Sequence, residues 1–510
     1  VRERKKNRSG FEERKLMVVL TYSAGFVILE KENPMVMLAS SAGSLVLKRV
    51  KPVVMVASSG IGERRPMCWS GCDGEWQWLL DEEDDELKMA LAVLKDKLKP
   101  SSPTLDHLRH YQLSFTDQLC PPVYTSFVFF YPADDADTKF DNLEILEQLQ
   151  QSLSNVLTHF YPLAGRLKDN IYVDCNDGGV PFLQVRVKFK LVHVLESREP
   201  GELNKFLPFE CDGDHEFLSG VQFNIFECGG IGIGLCISHK ISDIFSFFVF
   251  FKSWAATFRG EPDQERPQFE SATLFPARSL FGYDPRNAIF KTNIVAKRFF
   301  FSKSSIEALI AKYYKATNTE KLQRPSPIDV LSAFLWSRIV AATMVEWKAD
   351  TVHELVHYMN LRSIMCPPRS EYSFGNISWA AKTVPSMGEG CNLVGQIRES
   401  IKKVDSEYVK TLQGGGMLGS VGEQVQRVAR GEVVRFTFTS LCGLPIYEAD
   451  FGWGKPIWAG SPSLTFKNQI AFTDTVSGEG IEAKVQLTEE DMVKFQDDRE
   501  LLELVAPTGC

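Results

Sequence analysis

Four things are scarce in this chain, and each scarcity removes a class of function. Positive charge is short. There are 57 Lys+Arg against 65 Asp+Glu, for a net charge of −8 and a pI near 5.7. With no basic stripe to neutralise phosphates, nucleic acid is not expected as a main partner. Long apolar runs are missing. No stretch reaches the ~20 apolar residues of a membrane span, and Leu16 to Leu29, behind a basic start, is only signal-like. A disulfide framework is missing as well. The 11 cysteines are scattered, several of them in apolar runs such as Gly234-Leu235-Cys236-Ile237, the pattern of free buried thiols in a reducing compartment. Cys68 and Cys72 lie close together but lack a second ligand pair. Histidine is sparse, with 8 in 510 residues, so each one can be weighed singly. A cytoplasmic monomer is expected, with no metal and no membrane partner.

What is present is an ordinary globular balance, 44% hydrophobic and 24% charged, over a length that suits two domains. Residues 1–88 stand apart. They hold 14 basic and 14 acidic residues, so the whole net charge falls in 89–510. A basic opening (Arg2, Arg4, Lys5, Lys6, Arg8) faces an acidic end (Asp81 to Glu86), and the apolar runs lack periodicity. The chain also starts with Val. Residues 1–88 are therefore expected to be an irregular extension outside the catalytic fold. At Met89 the pattern changes to a strand, Ala90 to Leu94, followed by a Pro-Ser turn from Lys99 to Thr104.

Beyond Met89, strand-like and helix-like segments alternate, as in an α/β protein. Val123 to Tyr131 has the β-branched and aromatic content of a strand. Asn142 to Leu157 carries Leu143, Ile145, Leu146, Leu149 and Leu153 at helical spacing. Gly178 to Pro181 marks a turn. The polar, Pro-containing stretch from Gly260 to Arg286 reads as a crossover. The second half restarts with a strand at Ala296 to Phe301 and a helix at Ser304 to Tyr314. Gly414-Gly415-Gly416 predicts a mobile loop. No internal repeat is present.

Two short motifs carry chemistry. The first is His239-Lys240-Ile241-Ser242-Asp243. Ile231 to Ser238 is an apolar run of strand length whose Gly232 and Gly234 permit close backbone approach. Asp243 then opens the apolar run Ile244 to Phe258, where it is good N-capping chemistry. His239 thus sits at a strand-to-turn junction. An imidazole there, with an ordinary pKa near 6.5, is suited to taking a proton from a hydroxyl at neutral pH. Read alone, the motif is better explained by a buried histidine that only hydrogen-bonds, since eight histidines make a chance match unsurprising. The glycines of IGIG are not a dinucleotide fingerprint, because the strand follows them. The second motif is Asp450-Phe451-Gly452-Trp453-Gly454.

In this order the two motifs resemble the signature pair of the plant BAHD acyltransferases. Phe160 to Leu167 (FYPLAGRL), Val173 to Asp177, Pro327 to Trp336 (PIDVLSAFLW), Asn360-Leu361-Arg362 with Pro367-Pro368 and Gly375-Asn376, and Gly480 to Ala483 are similar to further blocks of that family in the same order. The resemblance covers essentially all of 89–510. It implies two chloramphenicol-acetyltransferase-like domains, each with a mixed β-sheet and flanking helices, and an active-site channel between them. The expected segments are 89–270 with HxxxD, a crossover at 271–290, and 291–510 with DFGWG.

The resemblance also implies a reaction. An acyl group, acetyl favoured, moves from acyl-CoA to a hydroxyl of a specialised metabolite such as an alkaloid or terpenoid alcohol. His239 would be the general base, grouped with Asp450 as catalytic, and no acyl-enzyme would form. Asp243 would pair with Arg362 to hold the His loop, while Gly452, Trp453 and Gly454 close a turn near the channel. Acyl-CoA is a co-substrate and no cofactor is bound permanently. The residues that contact it are not identified by the motifs.

Three departures from the family pattern stand out: Ile244 where members usually have Gly, Gly443 where many have Arg, and Ile364 in place of a second basic residue. They leave open a catalytically impaired relative that binds ligand. A third reading comes from His353-Glu354-Leu355-Val356-His357, a literal HExxH that on a helix would hold zinc. No histidine follows it, and the family pattern makes this segment a strand leading into Asn360.

Overall fold

In a computed structural model the chain divides into two compact units, Val1–Val93 and Leu94–Cys510. The structure describes residues 89–133, 143–213, 215–261, 265–280, 284–288, 293–317, 324–343, 351–386, 392–416, 421–462 and 466–506, together with six short strands between residues 18 and 78. Within the first unit, Val18–Tyr22, Gly25–Leu29, Met35–Ala39 and Leu45–Arg49 pair antiparallel in that order, and Met67–Trp69 pairs with Trp76–Trp78. Where the composition predicts irregular chain, these stretches form β-pairs. Their Val, Ile, Leu and aromatic content suits a pleated surface. Cys72 lies outside the described residues.

The larger unit is built on two large sheets, beside a three-stranded one formed by Arg166–Lys168, Tyr172–Asp174 and His110–Gln112. The first uses strands β1 (Met89–Leu98, which runs across the boundary between the units), β2 (Tyr124–Tyr131), β3 (Val180–Val187), β4 (Ser219–Phe226) and β5 (Ile231–Ser238). The second uses β6 (Ile294–Ser302), β7 (Val352–Asn360), β8 (Ser378–Thr383) and β9 (Val433–Ser440). Next in the chain comes β10 (Trp458–Gly460), followed by β11 (Gln469–Asp474), β12 (Gly480–Thr488) and β13 (Val505–Ala506). The second sheet has the order β8-β7-β9-β11-β12-β6-β13 and the first the order β10-β2-β5-β4-β3-β1. Although β10 lies far along the second half, it joins the first sheet, antiparallel to β2.

Helices cover these sheets where the apolar spacing allows. α1 (Phe115–Leu119) is short and capped by Ser114. α2 (Leu143–His159) buries Leu146, Leu149, Leu153, Val156 and Leu157. That is the stripe expected of an amphipathic helix. α3 (Ile244–Phe258) matches the predicted run and starts on Asp243. Because it carries apolar residues almost all round, it is buried, packing with α2 against the first sheet. All eight residues of β5 are buried. A side chain at Gly234 would collide with the carbonyl oxygen of Phe206, which explains the glycine on this central strand. α4 (Lys303–Thr317), α5 (Pro327–Thr343) and α6 (Leu393–Lys402) accompany the second sheet.

The glycine run at 414–416 departs from the mobile loop predicted. α7 (Ser406–Gly414) takes in Gly414, and Gly415 follows with φ +85. A glycine in the left-handed region just past a helix end is a C-terminal cap. The crossover is also firmer than its composition suggests: Ser271, Leu274 and Phe275 are buried, and Phe275 packs edge-on against Phe115 of α1.

The HExxH residues lie on β7, where alternate side chains face opposite sides. His353 and His357 point inward and are 3% and 5% exposed, while Glu354 meets Arg435 at 2.7 Å on the other face. The helical arrangement a zinc site would need is therefore absent. His357 stacks on Phe438 at 4.9 Å, and neither of its ring nitrogens has a hydrogen-bond partner among the described residues. Burial pushes its pKa down from 6.5 to about 4. It therefore binds a proton more weakly folded than unfolded, so stability present above pH 6.5 drains away as the pH falls toward 4. The full difference is about 3 kcal/mol. A His357→Phe protein is expected to lose less melting temperature than the parent between pH 7 and pH 5, as followed by circular dichroism. An equal acid shift in both proteins would contradict this.

Candidate active site

His239 follows directly on the last residue of β5, so the sheet sets its direction. Its backbone N–H donates to the Val123 carbonyl at 2.8 Å, and its own carbonyl accepts from Asn376 Nδ2 at 2.7 Å. The ring Nδ1 lies 3.1 Å from the Ser242 carbonyl oxygen. A carbonyl can only accept, so Nδ1 carries the proton and Nε2 keeps its lone pair. The side chain is partly exposed, yet its surroundings desolvate it enough to lower its pKa from 6.5, against the nearby charge of Asp243, which raises it.

Asp243 and Arg362 are 4% and 2% exposed. Arg362 Nη1 donates to Asp243 Oδ2 at 2.8 Å and Nη2 to Oδ1 at 3.2 Å, a two-pronged ion pair. Asp243 also accepts from the N–H of Ser246 at 2.8 Å, which caps α3, and from that of Ile377 at 3.1 Å. Arg362 satisfies its remaining N–H groups on Ser373 O, Asn360 Oδ1, Ser246 Oγ and Gly375 O. The carboxylate is thus fully committed to holding the turn after His239. Ile244, the departure from the family pattern, opens α3 and packs on the core without displacing this cap.

Sequence reasoning missed three supports. Asp117, fully buried on α1, accepts from the backbone and side-chain N–H groups of Asn376 at 3.0 and 2.8 Å. Asn376 in turn holds the His239 carbonyl, and its place in the Gly375-Asn376 block was the available signal. Ser246 Oγ accepts from Arg362 Nη2, so the first turn of α3 is part of the same network.

Asp450, Gly452, Trp453 and Gly454 lie elsewhere. Asp450 Oδ1 accepts from the N–H of Gly452 at 2.7 Å and of Gly454 at 3.0 Å. Both glycines have φ near +98, where any side chain is strained. Phe451 is wholly buried against Phe251, Trp254 and Phe258, and Trp453 stacks on Phe451 at 5.4 Å and meets Phe258. These partners occupy the C-terminal half of α3, whereas Asp243 caps its N-terminus. His239, Asp243 and Arg362 are therefore brought together, and the second motif braces the far end of the helix they begin.

A family model described as Transferase family matches residues 91–502. Among similar characterised proteins, stemmadenine O-acetyltransferase of Catharanthus roseus is 36% identical over 421 residues, covering 80% of this chain and 96% of that protein. Limonoid 21-O-acetyltransferase of Citrus sinensis is 36% identical over 429 residues, covering 80% and 96%. The crystal structure of vinorine synthase, an enzyme of Rauvolfia serpentina, superposes with a TM-score of 0.68 at 33% identity, over 81% of this chain and 98% of that one. The fold extends to Fusarium graminearum TRI101 in complex with coenzyme A and deoxynivalenol, at 15% identity, a TM-score of 0.65, and coverage of 78% and 99%. With the motifs, the two-sheet fold and these likenesses in agreement, the chain belongs to the transferase family, the BAHD acyltransferases, and is one of its acyl-CoA-dependent O-acyltransferases.

Proposed function

We propose that the protein moves an acetyl group from acetyl-CoA to a hydroxyl of an alkaloid or terpenoid alcohol, with His239 as general base. The carrying observation is the tautomer: Nδ1 is tied to the Ser242 carbonyl, which leaves Nε2 free to accept. In this mechanism Nε2 takes the acceptor's hydroxyl proton while the oxygen attacks the thioester carbonyl. The tetrahedral oxyanion collapses, the C–S bond breaks, and the leaving thiolate takes the proton back from the imidazolium. Donor and acceptor are present together and no acyl-enzyme forms. Asp243 and Arg362 hold the turn. Asp450 shapes its own loop and handles no proton, which is what two backbone donors on one of its oxygens support. The relatives named for O-acetyl transfer to stemmadenine and to limonoids support the donor and the acceptor class. On this reading the enzyme works as a cytoplasmic monomer.

The test is thiol release from acetyl-CoA in the presence of pooled alkaloid and triterpenoid alcohols, with product masses read in parallel. Release no faster than hydrolysis across a broad pool, with benzoyl- and hydroxycinnamoyl-CoA also inert, would overturn the assignment and favour a ligand-binding relative.

The catalytic fold is further assigned to residues 89–510, with lobes at 89–270 and 291–510 and a crossover at 271–290. The family match beginning at residue 91 supports the start. A chain beginning at Met89 is expected to express, fold and turn over like the full chain. Insolubility or lost activity of the shortened protein would show that residues 1–88 belong to the fold.

A further inference from the structure

Lys240, the residue after His239, is a buried lysine that faces no carboxylate at ion-pair distance among the described residues. It is 2% exposed and one of the largest fully buried side chains. Its Nζ donates to the backbone carbonyls of Gln118 at 3.0 Å and Cys120 at 2.7 Å, at the C-terminal end of α1. The Gln118 carbonyl, which also accepts from Asn170 Nδ2 at 3.2 Å, belongs to the last turn of α1, and Cys120 is the extended residue that caps it. Burying an ammonium this deeply is unfavourable, and an apolar side chain would fill the space without that cost. At its other end α1 meets the same catalytic turn again: Asp117, which closes its N-cap, is bonded to Asn376, and Asn376 holds the His239 carbonyl. The His239–Lys240 pair is therefore gripped by α1 from both ends.

We propose that Lys240 is a positioning residue, whose ammonium clamps the end of α1 to the catalytic turn so that His239 keeps its reactive orientation. This rests on His239 being the base. The titratable groups facing Lys240 from the α1 side are Asp117 and the Cys120 thiol, which burial pushes up to about 12 and so keeps neutral. On its own turn stand His239 and, beyond it, Asp243. Burial pulls the Lys240 pKa down from 10.5 to about 8, against the pull of Cys120 and Asp117. The clamp is thus cationic at neutral pH and weakens as the pH rises through about 8. The same cation lowers the pKa of His239 and helps keep the ring unprotonated. Catalysis is expected to pass through an optimum between the two titrations.

The experiment measures kcat and kcat/KM from pH 5 to 9.5 for the wild type, Lys240→Met and His239→Ala. The wild type is expected to lose activity on an alkaline limb near pH 8. Lys240→Met, close in shape but uncharged, should lack that limb, and its acid limb should move upward. Its kcat should fall about 10- to 100-fold, the scale of a misplaced catalytic group, with KM for both substrates nearly unchanged. Lys484 also has a pKa lowered to about 8, so an alkaline limb that survives in Lys240→Met belongs to another group and overturns the inference. A wild-type profile flat to pH 9.5 overturns it without any variant, which covers the case of a substitution that fails to fold. If His239→Ala is inactive while Lys240→Met keeps the wild-type profile, only this inference falls. If His239→Ala stays active, the reading beneath it falls.

Discussion

A His239→Ala protein is expected to fold normally and to turn over about 10²–10⁴-fold more slowly, the usual contribution of a positioned general base. Folding should survive because the hydrogen bonds that set the turn use the His239 backbone: its N–H on Val123 and its carbonyl under Asn376. Only the Nδ1 contact to the Ser242 carbonyl is lost with the side chain. The pH dependence supplies a second reading of the same residue. Burial lowers the pKa of His239 from 6.5, so the wild-type acid limb in kcat/KM should lie below pH 6.5, with activity falling as the pH drops through it. A folded His239→Ala protein with near-normal kcat would remove the base from the mechanism. An acid limb above pH 7 would contradict the desolvated site.

The second large effect concerns the ion pair beneath the turn. Asp243→Ala is expected to cost stability and rate together, because it strands a buried guanidinium. Breaking a buried pair by removing one partner costs about 3–5 kcal/mol. Arg362→Ala should do the same from the other side, leaving Asp243 with two backbone N–H donors and no cation. Arg362→Lys should rescue little, since an ammonium cannot reproduce contacts to Asp243, Asn360, Ser246, Ser373 and Gly375 at once. Denaturant unfolding of the single variants and the double variant would show strong coupling, with the double variant no worse than either single one. If Asp243→Ala leaves the unfolding midpoint in place and lowers only kcat, the carboxylate is acting on the chemistry directly.

Much of this site is local and so was legible in the chain. The strand ending at Ser238, the helix starting at Ile244 and the cap between them follow from an apolar run, a turn and an aspartate in sequence. The Asp243–Arg362 pair spans 119 positions and came from the family resemblance, since no periodicity links the two residues. Residues that act through backbone atoms stayed hidden. Asn376 grips a carbonyl, Lys240 grips two, and nothing in a side chain's identity announces which main-chain group it will meet. HExxH shows the opposite failure: the letters fit a helix, but the segment is β-rich, and the strand splits the glutamate from the histidines. Gly414 to Gly416 read as loose because glycine serves helix ends as well as loops, and spacing alone does not separate the two uses.

The position of β10 has a consequence for synthesis on the ribosome. Residues 458–460 form the outer strand of a sheet whose other members all lie before residue 239. Until the chain has grown past Gly460, β2 presents an open, apolar edge: Phe127, Val128, Phe129 and Phe130 wait while more than 200 residues are still to be made. Unpaired edges of this kind invite association between nascent chains. The first lobe is therefore committed to late closure, and a release of the chain before residue 460 leaves it unsealed. A truncation series ending before Trp458 should partition into the insoluble fraction, and one ending after β13 should not.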